Sequence, residues 1–290
     1  MEPESSKSPQ VLTIHDQPEA PSGMAPWTWS DLFPDADYRF NFQFKRGLIS
    51  SFYQPSAPGS LALRERARLL THHRADCLAW LPSSEGAIVD AHQVFADLGF
   101  AKKSSVSDPT ESLLALGQSL EADLILLQMT EHQPVVIAGV ACFPTGWSLP
   151  AKLGRSLLGV HHEVPELNEE LGSRIHRFLS GLKPETSWER ANWGLAATSQ
   201  LNLNPSTFFP RLTAETPLEE IYVRVETQSL TLLPTSAAIL FGIRIHLTPL
   251  LSLWSHSELR QRIQRAVRTL PPALADYKGL TSIRAKLIEY

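Results

Sequence analysis

Two long runs of alternating side chains in the last third of the chain constrain its fold more than any other feature. Residues 221–233 and 237–247 place apolar residues at nearly every second position, and a short Pro-Thr-Ser segment separates them. Alternation with a period of two predicts β-strands, and so short a separation predicts an antiparallel hairpin. A second hairpin is predicted from the apolar runs 124–129 and 135–143. We therefore expect an antiparallel sheet at the centre of the fold.

Segments with helical spacing lie before, between and after the two hairpins. Apolar residues recur there every three or four positions, with charged residues between them. The predicted helices cover residues 60–75, part of 88–98, a stretch from residue 111, 152–158, 166–182 and 257–270. Residues 38–44 alternate and predict a strand or an extended arm, behind a segment anchored by Trp27 and Trp29. The pattern predicts an α+β domain, with helices around an antiparallel sheet.

The composition excludes several classes of protein. The 290 residues are 43% hydrophobic and 19% charged, which is typical of a globular domain. A formal net charge of -4 argues against nucleic-acid binding, which needs a concentrated basic surface. No apolar run reaches the roughly 18 residues that suggest a membrane-spanning helix, so no membrane partner is expected.

The start of the chain and its cysteines bear on the compartment. Residues 1–25 are polar and predict a disordered tail without the features of a signal peptide, followed by a single domain over residues 26–290. Cys77 and Cys142 are far apart in the sequence and have apolar neighbours. Two such cysteines favour small core side chains over a disulfide framework, and a cytoplasmic location over an oxidising one.

The first predicted strand of the C-terminal hairpin carries a row of polar side chains, which we call the polar stripe: Arg224, Glu226 and Gln228. They occupy even positions, while Val223 and Val225 occupy odd ones. Because side chains alternate along a strand, the stripe must lie on one face. The simplest interpretation is a solvated face of an antiparallel sheet, and the residues alone favour it. The alternative is a stripe that lines a ligand pocket.

Histidine pairs are a second candidate feature, since imidazole can ligate iron or move protons near neutral pH. His161 and His162 follow a predicted short helix, and His72 and His73 end another one. Adjacent histidines are more often a surface feature than a site. No ligand spacing typical of a zinc site is present in the sequence.

Common catalytic motifs are missing from the sequence. It has no glycine-rich nucleotide loop, no serine nucleophile elbow, no HExxH segment and no CxxC pair. The segment 190–193 (RANW) is predicted to lie between a helix and a loop, with Trp193 packed and Asn192 as a cap. The residues alone therefore leave the chemistry open.

Several segments, in order along the chain, resemble one family. Residues 121–124 (EADL) are similar to its QEDL segment, and residues 142–147 (CFPTGW) to its CFPSxW segment. Further similarities follow in residues 152–165 (KLGRSLLGVHHEVP, family KxGxxLxxIHxPVP), 190–193 (family RxNW), 224–230 (RVETQSL, family RxExQxL) and 277–279 (YKG). On this ordered set, the chain is identified as a member of the haem-dependent oxidative N-demethylase-like family.

The resemblance implies a fold, a cofactor and an activity. The family fold is a PAS-like antiparallel sheet surrounded by helices, with a b-type haem. Its characterised member is the haem-bearing alpha subunit of an enzyme that oxidatively demethylates dimethylamine. Electrons from NADPH reach that subunit through partners that carry flavin and an iron–sulfur cluster. For this chain the resemblance implies that haem iron activates dioxygen, that a small secondary or tertiary amine is oxidised, and that a separate reductase takes part.

The resemblance also assigns residues to the site. The histidine of IHxPVP falls on His161, which becomes the ligand of the haem iron, and His162 in the variable position is the alternative. Arg224 becomes the residue that polarises dioxygen bound to the iron. Glu226 becomes the residue that holds the ammonium group of the amine. The residues carried over as supports of the pocket are Asn192 and Trp193.

The sequence departs from the family pattern beside the implied ligand. Glu163 stands where the family has proline, and Glu166 where it usually has glycine. These departures leave the amine open, and two other functions compete: a non-enzymatic haem-binding sensor and a haem-free scaffold. Glu226 in an amine-sized pocket would favour the enzyme and an exposed Glu226 the sensor, whereas a solvent-facing His161 would favour the scaffold.

Overall fold

Neighbouring strands in the central sheet are all antiparallel. The computed structural model describes residues 18–21, 24–40, 42–102, 108–131 and 133–290. The strands in these residues are β1 (Lys45–Gly47), β2 (Leu78–Trp80), β3 (Asp123–Met129), β4 (Pro134–Val140), β5 (Ser187–Ala196), β6 (Tyr222–Leu232) and β7 (Ile239–Pro249). They form one sheet in the order β1-β5-β6-β7-β3-β4-β2.

Helices pack on both faces of this sheet. Those in the described part of the chain are α1 (Trp29–Leu32), α2 (Ile49–Tyr53), α3 (Leu61–His72), α4 (Arg74–Cys77), α5 (Glu85–Asp97), α6 (Pro109–Ser119), α7 (Leu149–Lys152), α8 (Leu157–His161), α9 (Leu167–Ser180), α10 (Leu250–Trp254), α11 (Ser257–Thr269), α12 (Pro272–Tyr277) and α13 (Arg284–Glu289). Short 3-10 helices cover Pro82–Ser84 and Leu218–Glu220. Within the described ranges, none of these helices has the length and apolar character needed to cross a bilayer. The predicted α+β class is confirmed, and the PAS-like description stays a prediction.

The hairpin of β6 and β7 is the middle of the sheet. Its strands pair from Tyr222 opposite Pro249 to Leu232 opposite Ile239. On one side β5 pairs with β6 along its whole length, and on the other side β3 joins β7 to β4. Both predicted hairpins are confirmed. The alternation in β6 and β7 and the continuous apolar runs in β3 and β4 both reflect burial of apolar side chains on the sheet.

The two faces of the sheet contact different helices. On the first face, apolar side chains of β3, β4 and β7 pack against α2 to α6, and those of β5 and β6 pack against α10 and α11. On the second face, Ile125, Leu230 and Ile243 contact a cluster that includes side chains of α7, α8 and α9. Each such aliphatic side chain stabilises the fold by roughly 1.5–3 kcal/mol when it is fully buried. The even-numbered residues of β6, and so the polar stripe, belong to the second face.

A buried ion pair fixes the chain where it leaves β4. Arg66 Nη1 lies 2.5 Å from Asp123 Oδ1, and both side chains are buried. The same carboxylate accepts hydrogen bonds from the backbone N–H groups of Cys142 (2.7 Å) and Phe143 (3.0 Å). A buried ion pair is tolerated when hydrogen bonds satisfy its remaining polar atoms, as they do on this carboxylate. Asp123 therefore holds the segment after β4 against the start of β3.

Most predicted helices are present. The predictions over residues 60–75, 88–98, 166–182 and 257–270 correspond to α3, α5, α9 and α11, with ends shifted by a few residues. The two cysteines are buried free thiols. The described residues of the arm, 38–40 and 42–44, form no strand, which agrees with the extended-arm alternative.

Two predictions are wrong. Residues 190–193 lie inside β5 and not between a helix and a loop. This strand carries a charged side chain on each face, with buried Glu189 on one and Arg190 on the other. Apolar and polar residues therefore do not alternate clearly along it in the sequence. The helix predicted over 152–158 is also absent, because Gly154 adopts a left-handed φ of 75° that separates α7 from α8.

The predicted tail over residues 1–25 falls mostly on residues 1–17 and 22–23, which lie outside the described residues. Met24, which is described, is buried completely and belongs to the core that contains Trp27 and Trp29. The packed part of the chain thus includes Met24, ahead of the expected boundary at residue 26. A single domain over the rest of the chain stays a prediction.

Candidate functional site

A cavity of about 1380 Å³ lies on the second face of the sheet. Its volume exceeds the range of roughly 300–1,000 Å³ that is common for small-molecule sites. Residues of the arm, of α8 and α9, and of the segment after α12 line it together with β5, β6 and β7. The apolar part of its wall includes Leu127, Val160, Phe178, Leu230, Phe241 and Ile243. A cavity of this size and polarity suits a large, flat, apolar cofactor.

His161 is the last residue of α8 and lines the cavity. Burial, together with the positive charges of Arg190 and Lys152, lowers the pKa of its imidazole from 6.5 to about 4. The imidazole is therefore neutral at pH 7, which is the form that ligates a metal ion.

His162, the alternative ligand, is exposed and does not line the cavity. It is the first residue beyond the C-terminal end of α8. Hydrogen bonds hold α8 in place: the Ser156 hydroxyl accepts from the N–H of Gly159 (3.2 Å), and Asn168 Nδ2 donates to the carbonyl of Leu158 (2.9 Å). The helix thus presents His161, and not its neighbour, to the cavity.

The departures from the family pattern have a structural basis. Glu163, at the family's proline, accepts from Lys152 Nζ (2.7 Å) and Arg155 Nη1 (3.3 Å), and these cations keep the pKa of its carboxyl below the usual value. Glu166, at the usual glycine, has a left-handed φ of 64°. That conformation costs roughly 1–2 kcal/mol in a residue with a Cβ atom, which explains why glycine suits the position. Both side chains are exposed, and that of Glu163 also lines the cavity.

The polar stripe lines the same cavity from the sheet side. Arg224, Glu226 and Gln228 all contribute to its wall. Arg224 is only 1% exposed, and the other two side chains are half-buried. The favoured interpretation of the stripe as a solvated sheet face is therefore wrong. Sequence alternation located the stripe, but the helices that cover it come from distant parts of the chain.

Four hydrogen bonds occupy the guanidinium group of Arg224. Nε donates to Thr145 Oγ1 (2.9 Å), Nη1 to the carbonyl of Gln200 (3.2 Å), and Nη2 to the carbonyls of Phe143 (2.9 Å) and Leu201 (2.8 Å). Burial lowers its pKa from 12.5 to about 10, which leaves it charged at pH 7. Since an arginine has five N–H donors, a single one remains for a ligand. These contacts fit a positioning role, and the expectation that Arg224 polarises dioxygen stays a prediction.

Glu226 is held by neutral donors. Thr145 Oγ1 donates to one carboxylate oxygen at 2.5 Å, and Gln228 Nε2 donates to the other at 3.2 Å. Arg224 therefore acts on Glu226 through the hydroxyl of Thr145, which accepts from the arginine and donates to the carboxylate. The negative charge of Glu226 also favours the charged forms of Arg190 and Lys278. This arrangement fixes a carboxylate on the cavity wall and leaves lone pairs for a cationic ligand.

The two predicted supports, Asn192 and Trp193, border the cavity and hold a lysine. Asn192 lies directly opposite Glu226 in the pairing of β5 with β6. Lys278 Nζ donates to the carbonyl of Trp193 (2.6 Å) and to Asn192 Oδ1 (3.5 Å), and lies 5.2 Å from the centroid of the Trp193 ring. Burial lowers the pKa of Lys278 from 10.5 to about 8. The Trp193 indole itself is packed in the core against Phe33, as predicted.

Sequence reasoning did not select Thr145, Arg190 or Lys278 for the site. All three line the cavity, and burial lowers the pKa of the Arg190 guanidinium. Each falls within a segment that resembles the family: CFPTGW, RANW and YKG. The signal was therefore present in the resemblance, but nothing in the local sequence shows that these segments converge on one cavity.

Comparison with known families agrees with the resemblance. A family model described as haem-dependent oxidative N-demethylase, alpha subunit-like, matches residues 99–288, which is more than half of the chain. The chain belongs to this family. The haem-dependent oxidative N-demethylase description points to an enzyme that depends on haem, and the term alpha subunit implies a partner subunit.

The residues of the cavity fit a haem. Among the described residues, no group of three or more His, Cys, Asp or Glu side chains could hold a metal ion by itself. A haem iron needs only an axial ligand from the protein, because the macrocycle supplies the others. One neutral histidine on the wall of a large, mainly apolar cavity meets that requirement.

The contacts of Arg224 predict a stability effect. Arg224→Met should lower the free energy of unfolding by about 2 kcal/mol or more, because it leaves three backbone carbonyls without their charged donor. Arg211→Met is the matched control: Arg211 also lines the cavity but is exposed and contacts the ring of Phe209, so a change of at most about 0.5 kcal/mol is expected. Urea unfolding measures both. Equal stabilities of the two variants would contradict the positioning role.

Proposed function

We propose that this chain is a haem-dependent oxidoreductase that activates dioxygen and oxidatively removes an N-methyl group from a small secondary or tertiary amine. One observation carries the proposal. A neutral histidine, His161, and a fixed carboxylate, Glu226, line the same cavity from opposite structural layers, a helix and the sheet. His161 would hold the iron of a b-type haem, and the apolar side chains of the wall would enclose the macrocycle.

The chain's own residues prepare the amine and its surroundings. Haem, when bound, supplies the activation of dioxygen and the oxidation of the N-methyl carbon. The apolar wall excludes water, and charge interactions inside the cavity are stronger as a result. Glu226, held by Thr145 and Gln228, accepts hydrogen bonds from the ammonium group and so fixes the position of the nitrogen.

Arg224 has an indirect part in this proposal. Its hydrogen bonds to the segments that contain Phe143 and Leu201 keep Thr145 in place, and Thr145 orients the carboxylate of Glu226. The direct contact with dioxygen that the resemblance implied stays a prediction. A fixed carboxylate needs no reorganisation when the amine binds, which favours binding.

Electrons would come from a separate protein. The sequence contains no glycine-rich nucleotide motif and only two cysteines, fewer than the four thiolates that an iron–sulfur cluster of the common type needs. The alpha subunit description of the family supports a partner. We therefore propose a reductase with flavin and an iron–sulfur cluster that receives its electrons from NADPH.

The geometry favours the enzyme over its two rivals. A sensor of gas or redox state would not need a carboxylate with both oxygens held by hydrogen bonds, as in Glu226. A haem-free scaffold would not need a half-buried neutral histidine in the wall of a large cavity, as in His161.

The first test is the iron ligand. When haem is supplied to the purified protein, the wild type should show a Soret band, and His161→Ala should lose or shift it because the axial ligand is removed. His162→Ala is the matched control and should retain the wild-type spectrum, since His162 is exposed. Added imidazole should restore the band of His161→Ala. An unchanged spectrum in His161→Ala would exclude His161 as the ligand.

The second test is the amine site. Glu226→Gln keeps the size of the side chain but removes the charge that pairs with an ammonium group. It should weaken binding of dimethylamine by about 1.5–3 kcal/mol, the range for hydrogen bonds to charged groups, while haem content stays normal. Titration of dimethylamine against the ferric Soret band of both proteins gives the affinities. Equal affinities would remove Glu226 from the amine site, and a wild-type band that no amine shifts would support the sensor.

A further inference from the structure

Lys278 brings an ammonium group to the cavity from the segment after α12. Its hydrogen-bond acceptors, the carbonyl of Trp193 (2.6 Å) and Oδ1 of Asn192 (3.5 Å), are both neutral, and so is the indole ring beneath it. No carboxylate of the described residues forms an ion pair with Lys278. A desolvated ammonium group without an anionic partner is costly, so the cavity favours the entry of an anion beside it.

The charges of the cavity wall also favour an anion beside Lys278. The cationic side chains that line the cavity include Arg190, Arg224 and Lys278, and burial disfavours the charged form of each of these three. Glu226 is the nearby carboxylate whose charge favours all three cations. Glu226 thus interacts with three cationic side chains, although the proposed substrate is itself an ammonium ion.

The position of Lys278 defines where the anion would lie. Asn192, which contacts Nζ, is the direct neighbour of Glu226 across the β5–β6 pair, and adjacent strands are about 4.8 Å apart. An anion at Lys278 would thus lie beside an ammonium group at Glu226. Carboxylate groups are well suited to this position, because they accept charge-assisted hydrogen bonds from an ammonium donor.

We propose that Lys278 is a carboxylate-binding residue of the cavity. The carboxylate has two chemical sources: an N-methylated amino acid whose ammonium group contacts Glu226, or a propionate group of the haem. The first source rests on the proposed function, since it names the substrate as a zwitterion instead of a simple amine. The second rests only on the binding of haem.

Calorimetry on the haem-free protein tests the substrate source. The wild type should bind N,N-dimethylglycine about tenfold or more tighter than dimethylamine, as expected for one additional charge-assisted hydrogen bond. Lys278→Met should lose this preference, whereas Lys278→Arg, which keeps the charge, should retain it. Lys286→Met is the control: Lys286 donates to backbone carbonyls of Ala214 and Thr216 and does not line the cavity. Urea unfolding shows which variants are folded.

Haem titrations test the cofactor source. Lys278→Met should weaken the binding of haem about tenfold or more and leave the binding of haem dimethyl ester, which lacks free propionates, unchanged. Loss of the preference for N,N-dimethylglycine in Lys278→Met supports a carboxylate site for the substrate. Weaker binding of haem in this variant supports a carboxylate site for the haem propionate. If Lys278→Met and wild type agree in both titrations, the inference is wrong.

The proposed function and the carboxylate site at Lys278 can each be contradicted without the other. A protein that binds haem through His161 but shows no carboxylate preference at Lys278 would contradict this inference and leave the proposed function intact. A protein that binds no haem, yet binds N,N-dimethylglycine through Lys278, would contradict the proposed function and support the carboxylate site.

Discussion

The buried guanidinium group of Arg224 holds the sheet wall of the cavity together. A charge buried this deeply requires several acceptors, and Arg224 finds them in the chain after β4 and in the carbonyls of Gln200 and Leu201. The segment after β4 is fixed in turn by Asp123, which accepts from its backbone and pairs with Arg66. Thr145 lies within that segment, so the orientation of the Glu226 carboxylate depends on the contacts of two buried charged groups, Arg224 and Asp123.

The helical wall of the cavity depends on a different constraint. α8 is only five residues long, too short to be stable alone, and capping and side-chain contacts from Ser156 and Asn168 hold it against the sheet. The cavity beneath it is lined by apolar side chains, and the desolvation that follows keeps His161 neutral. In the proposed function, haem ligation would use this helical wall and amine binding would use the sheet wall.

The sequence predicted local features well and long-range ones poorly. Alternation identified β6 and β7, and helical spacing identified α3, α5, α9 and α11, because both patterns arise from neighbours in the chain. It misplaced residues 190–193, since β5 carries polar side chains on both faces. It also gave no sign of the contacts of Arg224, because the four acceptors come from segments more than twenty residues away and leave no pattern near position 224. The resemblance supplied His161 and Glu226, whereas Lys278 became visible only in three dimensions.

The most direct measurement is a crystal structure of the haem-loaded protein with dimethylamine bound. The iron should lie within bonding distance of a ring nitrogen of His161, and the amine nitrogen should lie within hydrogen-bond distance of the Glu226 carboxylate. Haem bound at His162 or outside the cavity would contradict the central claim, that one cavity wall holds the cofactor and the other holds the substrate.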